Sequence, residues 1–324
     1  MKKSLLIIVL AISVLSVQGQ RVGYDISFHQ IFDNREYFSE YAFPQTIFGA
    51  RLDVSLVFRI DTMHSFAAGL NYLYEHGSSV FSLPPQVNLY YAYSSDHLEM
   101  ALGSFPRRNR IDMPLVFLTD TLNYFRPNVE GGYLAHVSNF FEVYGFVDWT
   151  GRVTTNTRES FLAGMDASFR FSHFFLNSSL LMYHEARSYQ RIHASPIRDN
   201  GIMAILAGYS VDNKRELRSL KLSAGYMLSY DRLRPSDLEW GRGWIANVDF
   251  RYTIFGFKGV YYVGTPVVFE YGDPFYQSGN YGRLDFFADP FRKKNIDSKI
   301  GWNFHFVPGE GVHHSQQLLM RVRF

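Results

Sequence analysis

Between residues 48 and 61 the chain alternates almost without interruption. Phe48, Ala50, Leu52, Val54, Leu56, Phe58 and Ile60 share one parity, and Arg51, Asp53, Ser55, Arg59 and Asp61 share the other. Successive side chains of an extended strand point to opposite faces, so this period of two predicts a strand with one apolar and one polar face. The pattern returns at 161–171, 220–231, 244–254 and 300–306. Such segments run to about 10–13 residues, longer than the strands of soluble sheets and close to what a tilted strand needs to cross a bilayer.

Sixteen strands are expected, near residues 22–31, 47–60, 65–75, 86–95, 97–105, 130–138, 140–149, 159–171, 173–185, 200–210, 219–231, 243–255, 257–268, 281–288, 294–306 and 314–324. Tight links follow the even strands ("SN" at Ser138, "SH" at Ser172, "GF" at Gly256) and longer ones the odd strands, the longest from Pro106 to Asn128. "VDNKRELRS" at Val211 is the exception. Outer-membrane barrels alternate short periplasmic turns with long outer loops in this way. The expected fold is therefore all-β: a transmembrane antiparallel up-and-down barrel of about 16 strands, within a range of 12–18, with a long third extracellular loop.

Composition narrows the function. Aromatic residues make up 17% of the chain and charged residues 19%, with 32 Lys+Arg against 30 Asp+Glu. That balance carries no basic field for nucleic acid. Residues 1–19 have the basic start, apolar run and small residues of a cleaved signal peptide, which leaves 20–324 as a single barrel domain. With no Cys there is neither a disulfide framework nor a thiolate metal site, and no cofactor is expected.

The ending resembles the assembly signal of bacterial outer-membrane β-barrels, carried here by Leu318, Met320, Val322 and Phe324. That resemblance implies the outer membrane of a Gram-negative bacterium as location. It also implies the barrel-assembly machinery, outer-membrane lipids and lipopolysaccharide as partners, and leaves a homo-oligomer open. The strand count and third loop resemble porins of the sixteen-stranded kind, and "GSFPRRNRIDMPLVFLTDTLNYFRPNVEGG" is similar to exported barrels of Bacteroidetes-type bacteria. The loop lacks the acidic cluster of cation-preferring porins.

Arg107, Arg108 and Arg110, with Asp112, are the candidates for a pore constriction, since clustered arginines in a pore lining favour anions. The other reading sets these arginines in solvent or on lipopolysaccharide phosphates at the rim. Lumen-facing charges are expected at Arg51, Asp53, Arg59, Asp166, Arg170, Asp249, Arg251, Arg321 and Arg323, of both signs and able to pair across the wall. Histidine pairings for an enzyme exist on paper: His136 with Ser138, His184 with Glu185, and His193 with Ser195. None sits in a nucleophile motif, and neighbours in a strand diverge. His313 and His314 diverge likewise, which disfavours a metal site. The expectation is thus a porin-like channel for passive diffusion of small polar or anionic solutes, not an enzyme, with no catalytic or metal residues. The alternatives are a barrel enzyme acting on lipid or lipopolysaccharide, and a structural or export-machinery barrel acting through partners.

Overall fold

The computed structural model describes residues 21–324 apart from 155–156, 188–194 and 213–216; the expected signal peptide lies outside the described residues. Seventeen strands follow one another: β1 (Arg21–Glu36), β2 (Gln45–Arg59), β3 (His64–Glu75), β4 (Gln86–Ser94), β5 (Leu98–Pro106), β6 (Asn128–Val137), β7 (Phe141–Gly151), β8 (Ser160–Phe171) and β9 (Phe174–Glu185), then β10 (Arg198–Asp212), β11 (Leu217–Leu233), β12 (Glu239–Tyr252), β13 (Phe255–Gly264), β14 (Asn280–Ala288), β15 (Arg292–Lys293), β16 (Ile296–Val307) and β17 (Gly311–Arg323). β15 is a two-residue ladder inside the turn between β14 and β16, so sixteen strands build the wall.

Every wall pairing is antiparallel, and β1 pairs with both β2 and β17: Phe28 lies between Leu52 and Val322. The sheet therefore closes and leaves no free edge, the condition for strands to cross a membrane. The result is an outer-membrane β-barrel of sixteen antiparallel strands. Among the described residues no helix is long and apolar enough to cross a membrane.

The alternation has the physical meaning expected of it. Leu52, Leu56, Leu70, Leu134, Leu176 and Trp302 are exposed on the outside, where hydrocarbon replaces water, while Asn71, Asn88, Asp148 and Asn303 are buried inside. Tight turns close one end. At the β8–β9 turn Ser172 takes the left-handed conformation, with φ of 54°, that a two-residue hairpin demands. The link at Val211 is no exception after all: β10 runs on to Asp212 and β11 starts at Leu217, so most of it is strand.

The lumen departs from the expected water-filled channel. The third loop (107–127), with its short helix α1 (Asp120–Phe125), turns inward and buries Val116, Phe117, Leu118 and Leu122. The loop after β13 does the same. The expected strand 257–268 ends instead at Gly264, and residues 265–279 enter the lumen, burying Val267, Phe269, Phe275 and Tyr276. The apolar run at Val267 reads like more strand, but Pro266 cannot donate to the ladder. The two loops pair through Thr119 N to Tyr271 O (2.7 Å) and Asp273 N to Leu115 O (2.9 Å). They approach so closely at Gly272 that a Cβ there would lie 2.2 Å from Val116 O. With Tyr37 and inward residues of β5 to β14 and β16 they form one apolar core across the lumen.

Candidate functional site

The proposed constriction residues have separate fates. Arg107 is buried against Asp148 on β7, and burial lowers its pKa although Asp148 opposes this. It ties loop to wall and offers no charge to a solute. Arg110 pairs with Glu99 at 3.0 Å and lies over the Tyr90 and Phe105 rings. Asp112 is held through its backbone, whose N–H meets the Tyr144 hydroxyl at 3.3 Å. Only Arg108 faces open space. Water reaches its side chain, yet it stands deep between walls, and burial together with Arg321 brings its pKa down to about 10.

The other predicted lumen charges are mostly satisfied. Arg51 donates to Asn71 and to the Tyr124 carbonyl, and Asp53 accepts from Asn88 at 2.6 Å. Asp166 accepts from Ser179 at 2.5 Å and Asn177 at 2.9 Å. Asp249 meets Lys258 at 3.2 Å and Arg251 at 3.4 Å. Arg321 and Arg323 share Asp297, at 3.2 and 3.0 Å. Arg59 and Arg170 are exposed at the short-turn ends of β2 and β8. At the terminus Leu318, Met320 and Val322 take the outward parity of β17, and Phe324 closes against β1 through its N–H to Ile26 O (2.9 Å).

The unexpected chemistry lies on the outside. Polar side chains on a lipid-facing wall are expensive, so each group of them calls for a reason. At the long-loop end of β9 and β10, His184 stands outward beside Asp199, its direct neighbour across the ladder. Nδ1 of the ring is 2.8 Å from Asp199 Oδ1, and Arg234 Nε donates to Oδ2 at 2.7 Å. The carboxylate can only accept, so the shared proton is donated from Nδ1, and Nε2 is the ring nitrogen turned away from Asp199. The ring packs on Phe161, itself stacked on Trp149, and both groups are partly exposed. Tyr230, Trp240, Arg242 and Trp244 continue this belt along β11 and β12. His184 was paired in sequence with Glu185, but Glu185 points inward to Arg158 at 2.7 Å. His136 and Ser138 sit at a short turn, where Ser138 caps Phe141; His193 lies outside the described residues.

A second group lies across the barrel, where β17, β1 and β2 meet. Asn34 donates to Gln316 (2.8 Å) and to Glu36 (3.0 Å) and accepts from Thr46 (2.8 Å); Gln316 lies 2.8 Å from His314 Nδ1. Phe32, Phe48, Trp302 and Phe304 surround this island. Among the described residues no cluster of three or more His, Asp or Glu side chains is placed to hold a metal ion.

A sheet of sixteen strands closed on itself, apolar outside and polar or packed within, defines the class: an outer-membrane β-barrel. Residues 17–299 match the family described as lipid A 3'-O-deacylase-type, and the chain belongs to that family. This overturns the expectation that the chain is not an enzyme, because the family is one of enzymes. No sequence among the curated proteins matches. Solved structures that share the architecture include an outer membrane protein of Vibrio cholerae, OmpT with loop L8 deleted (TM-score 0.58, 8% identity, 95% of this chain and 100% of that one). OprD from Pseudomonas aeruginosa (0.55, 9%, 94% and 93%) and an anion-selective porin from Comamonas acidovorans (0.56, 10%, 94% and 100%) are similar too. At these identities they speak for the fold alone.

Proposed function

We propose that the chain is a hydrolase that removes an ester-linked acyl chain from a lipid A-type glycolipid, at the outer rim of β9–β12. The observation that carries this reading is the His184–Asp199 pair, turned toward lipid at the level of an aromatic belt, with no partner to Nε2 among the described residues. Family membership supplies the substrate class.

In the mechanism, His184 Nε2 takes a proton from a water at the headgroup level, and the resulting hydroxide attacks the ester carbonyl. The imidazolium is stabilised by Asp199, as in other histidine–carboxylate pairs. It then returns the proton to the departing sugar oxygen, so ester and water become fatty acid and alcohol. Arg234 holds Asp199 in place, and Arg242, between Trp240 and Trp244 on the outward face of β12, meets phosphate groups of the substrate. The apolar core across the lumen favours this reading over passive diffusion, since a solute path would have to breach packed aromatic rings.

Mass spectrometry of lipid A incubated with the purified protein in detergent is the test. Wild type is expected to release one acyl chain. His184→Ala should abolish release, and Asp199→Asn should slow it by about 10²–10⁴-fold. Undiminished release by a folded His184→Ala protein would overturn the proposal. A second reading sets the chemistry at the Asn34 island, because polar groups there interrupt an otherwise apolar face; His314→Ala would then be the inactive variant.

A further inference from the structure

Beneath the apolar core the lumen opens into a cavity of about 650 Å³ toward the short-turn end, lined by β1, the third loop, β16, β17 and the turn carrying β15. Its walls carry nine Lys and Arg side chains against four Asp, an excess of five positive charges. Opposite charges in a polar lumen commonly satisfy one another, and here some do: Arg35 pairs with Asp33 along β1 (2.7 Å), and Arg321 and Arg323 pair with Asp297 across β17 and β16. Arg108, Lys293, Lys294 and Lys299, by contrast, have no carboxylate within ion-pair distance among the described residues. An adjoining chamber of about 100 Å³ shares Arg108, Arg321 and Arg323 and is also lined by Arg51. Arg51 is only 4% exposed, and its Nε has no acceptor among the described residues.

Four unpaired cations converging on one chamber repel one another, and that cost persists unless something negative enters. The neighbourhood already presses on Arg108, whose pKa burial and Arg321 lower to about 10. The volume lies in the range of small-molecule sites and exceeds what a single phosphate fills. The two inward loops shut the chamber off from the rim where His184 stands, so it does not belong to the hydrolytic site. Short turns of outer-membrane barrels face the periplasm, which makes a soluble ligand the natural occupant.

We propose that this chamber is a binding site for a small soluble polyanion carrying two or more phosphate or carboxylate groups. Arg108 and Lys299 grip it from the third loop and from β16, and Lys293 and Lys294 close on it from the turn. Guanidinium and ammonium groups suit this division, the first binding an oxyanion in a bidentate way and the second as a mobile point charge.

The experiment is calorimetric titration of the purified barrel in a non-ionic detergent with sodium tripolyphosphate, at low and moderate salt. One-to-one binding that weakens steeply with salt is expected, as screening requires. The double variant Arg108→Ala/Lys294→Ala should bind at least about tenfold more weakly, while Arg170→Ala, exposed at the short-turn end of β8 and outside both chambers, should bind as wild type. Absence of binding, or equal binding by the double variant, would overturn the site. Competition by phosphatidylglycerol micelles would overturn the soluble source and make a lipid phosphate the ligand. Because the readout is binding and the variants lie away from His184, failure here leaves the hydrolase reading standing, and failure of that reading leaves this one standing.

Discussion

Arg107 and Asp148 form an ion pair sealed from water on both sides, with side-chain exposures of 1% and 0%, and it fastens the inward third loop to β7. Asp148 also accepts from Glu130 N at 2.9 Å, so its charge is fully engaged. Removing one member of such a pair leaves the other as an uncompensated buried charge, a loss of about 3–5 kcal/mol. Arg107→Ala is therefore expected to lower the thermal midpoint markedly. The double variant Arg107→Met/Asp148→Leu should recover much of the loss, followed by the temperature at which heat-modifiable migration disappears. A double variant no better than the single one would count against the pair as the anchor.

Asp120 on α1 gives a pH dependence of definite sign. Burial works against its ionisation, but Arg35 at 3.2 Å and then Arg283 prevail and hold the carboxyl down at about 2. A depressed carboxyl pKa contributes stability above the unfolded value near 3.9, and the contribution fades as pH falls through the folded value. The difference in thermal midpoint between wild type and Asp120→Asn should be steady from pH 5 to 7, shrink below pH 4 and vanish near pH 2. A gap that widens on acidification would contradict this.

Arg242 stands between two tryptophans of the outer belt, and in the proposed reaction it meets substrate phosphates without taking part in proton transfer. A hydrogen bond to a charged group is worth about 1.5–3 kcal/mol, or roughly ten- to a hundredfold. Arg242→Ala should raise KM for phosphorylated lipid A by about that factor with little change in kcat, and dephosphorylated lipid A should not register the substitution. Initial rates on the two substrates decide the matter.

The core across the lumen bears on conduction. Planar-bilayer recordings of the purified protein should show far smaller steps than an open sixteen-stranded pore, and replacing residues 110–124 by a short Gly-Ser linker should enlarge them. Large steps in the unaltered protein would mean that a wide path passes the packed rings of Phe117, Phe275 and Tyr281.

For the polar island, Asn34→Leu/Gln316→Leu removes both ends of a hydrogen bond on a lipid-facing surface. Replacing both ends is close to neutral for that bond, and Glu36, Thr46 and His314, which also lose a partner, lie at strand ends where they are not fully buried. Unchanged folding and unchanged lipid turnover are expected, and turnover lost in this variant would move the chemistry from His184 to His314.

The wall was legible because each strand separates two environments, and a period of two survives in the residues themselves. All sixteen expected strands have counterparts within a few residues at most ends. Where both faces are apolar the signal thins. In β9 the run Leu180, Leu181, Met182, Tyr183 faces lipid and the inner core alternately, and nothing in the run says so. For the same reason Val267, inside the expected strand 257–268, reads as strand when it is lumen filling. The His184–Asp199 pair was hidden differently. Its residues meet across a ladder whose register depends on the span between β9 and β10, a quantity that neither residue type nor local spacing encodes.

The third loop's place in the interior changes which segments can tolerate foreign sequence. Residues 107–127 carry the shape constraints of a buried core, and a peptide spliced there would have to displace Phe117 and Leu122 from their packing. The loop after β3 is an open turn at Gly77 and Ser79, with Val80 and Phe81 exposed. For displaying an epitope on a cell surface, the longest loop is the wrong graft point, and the shorter one at 77–82 is the right one.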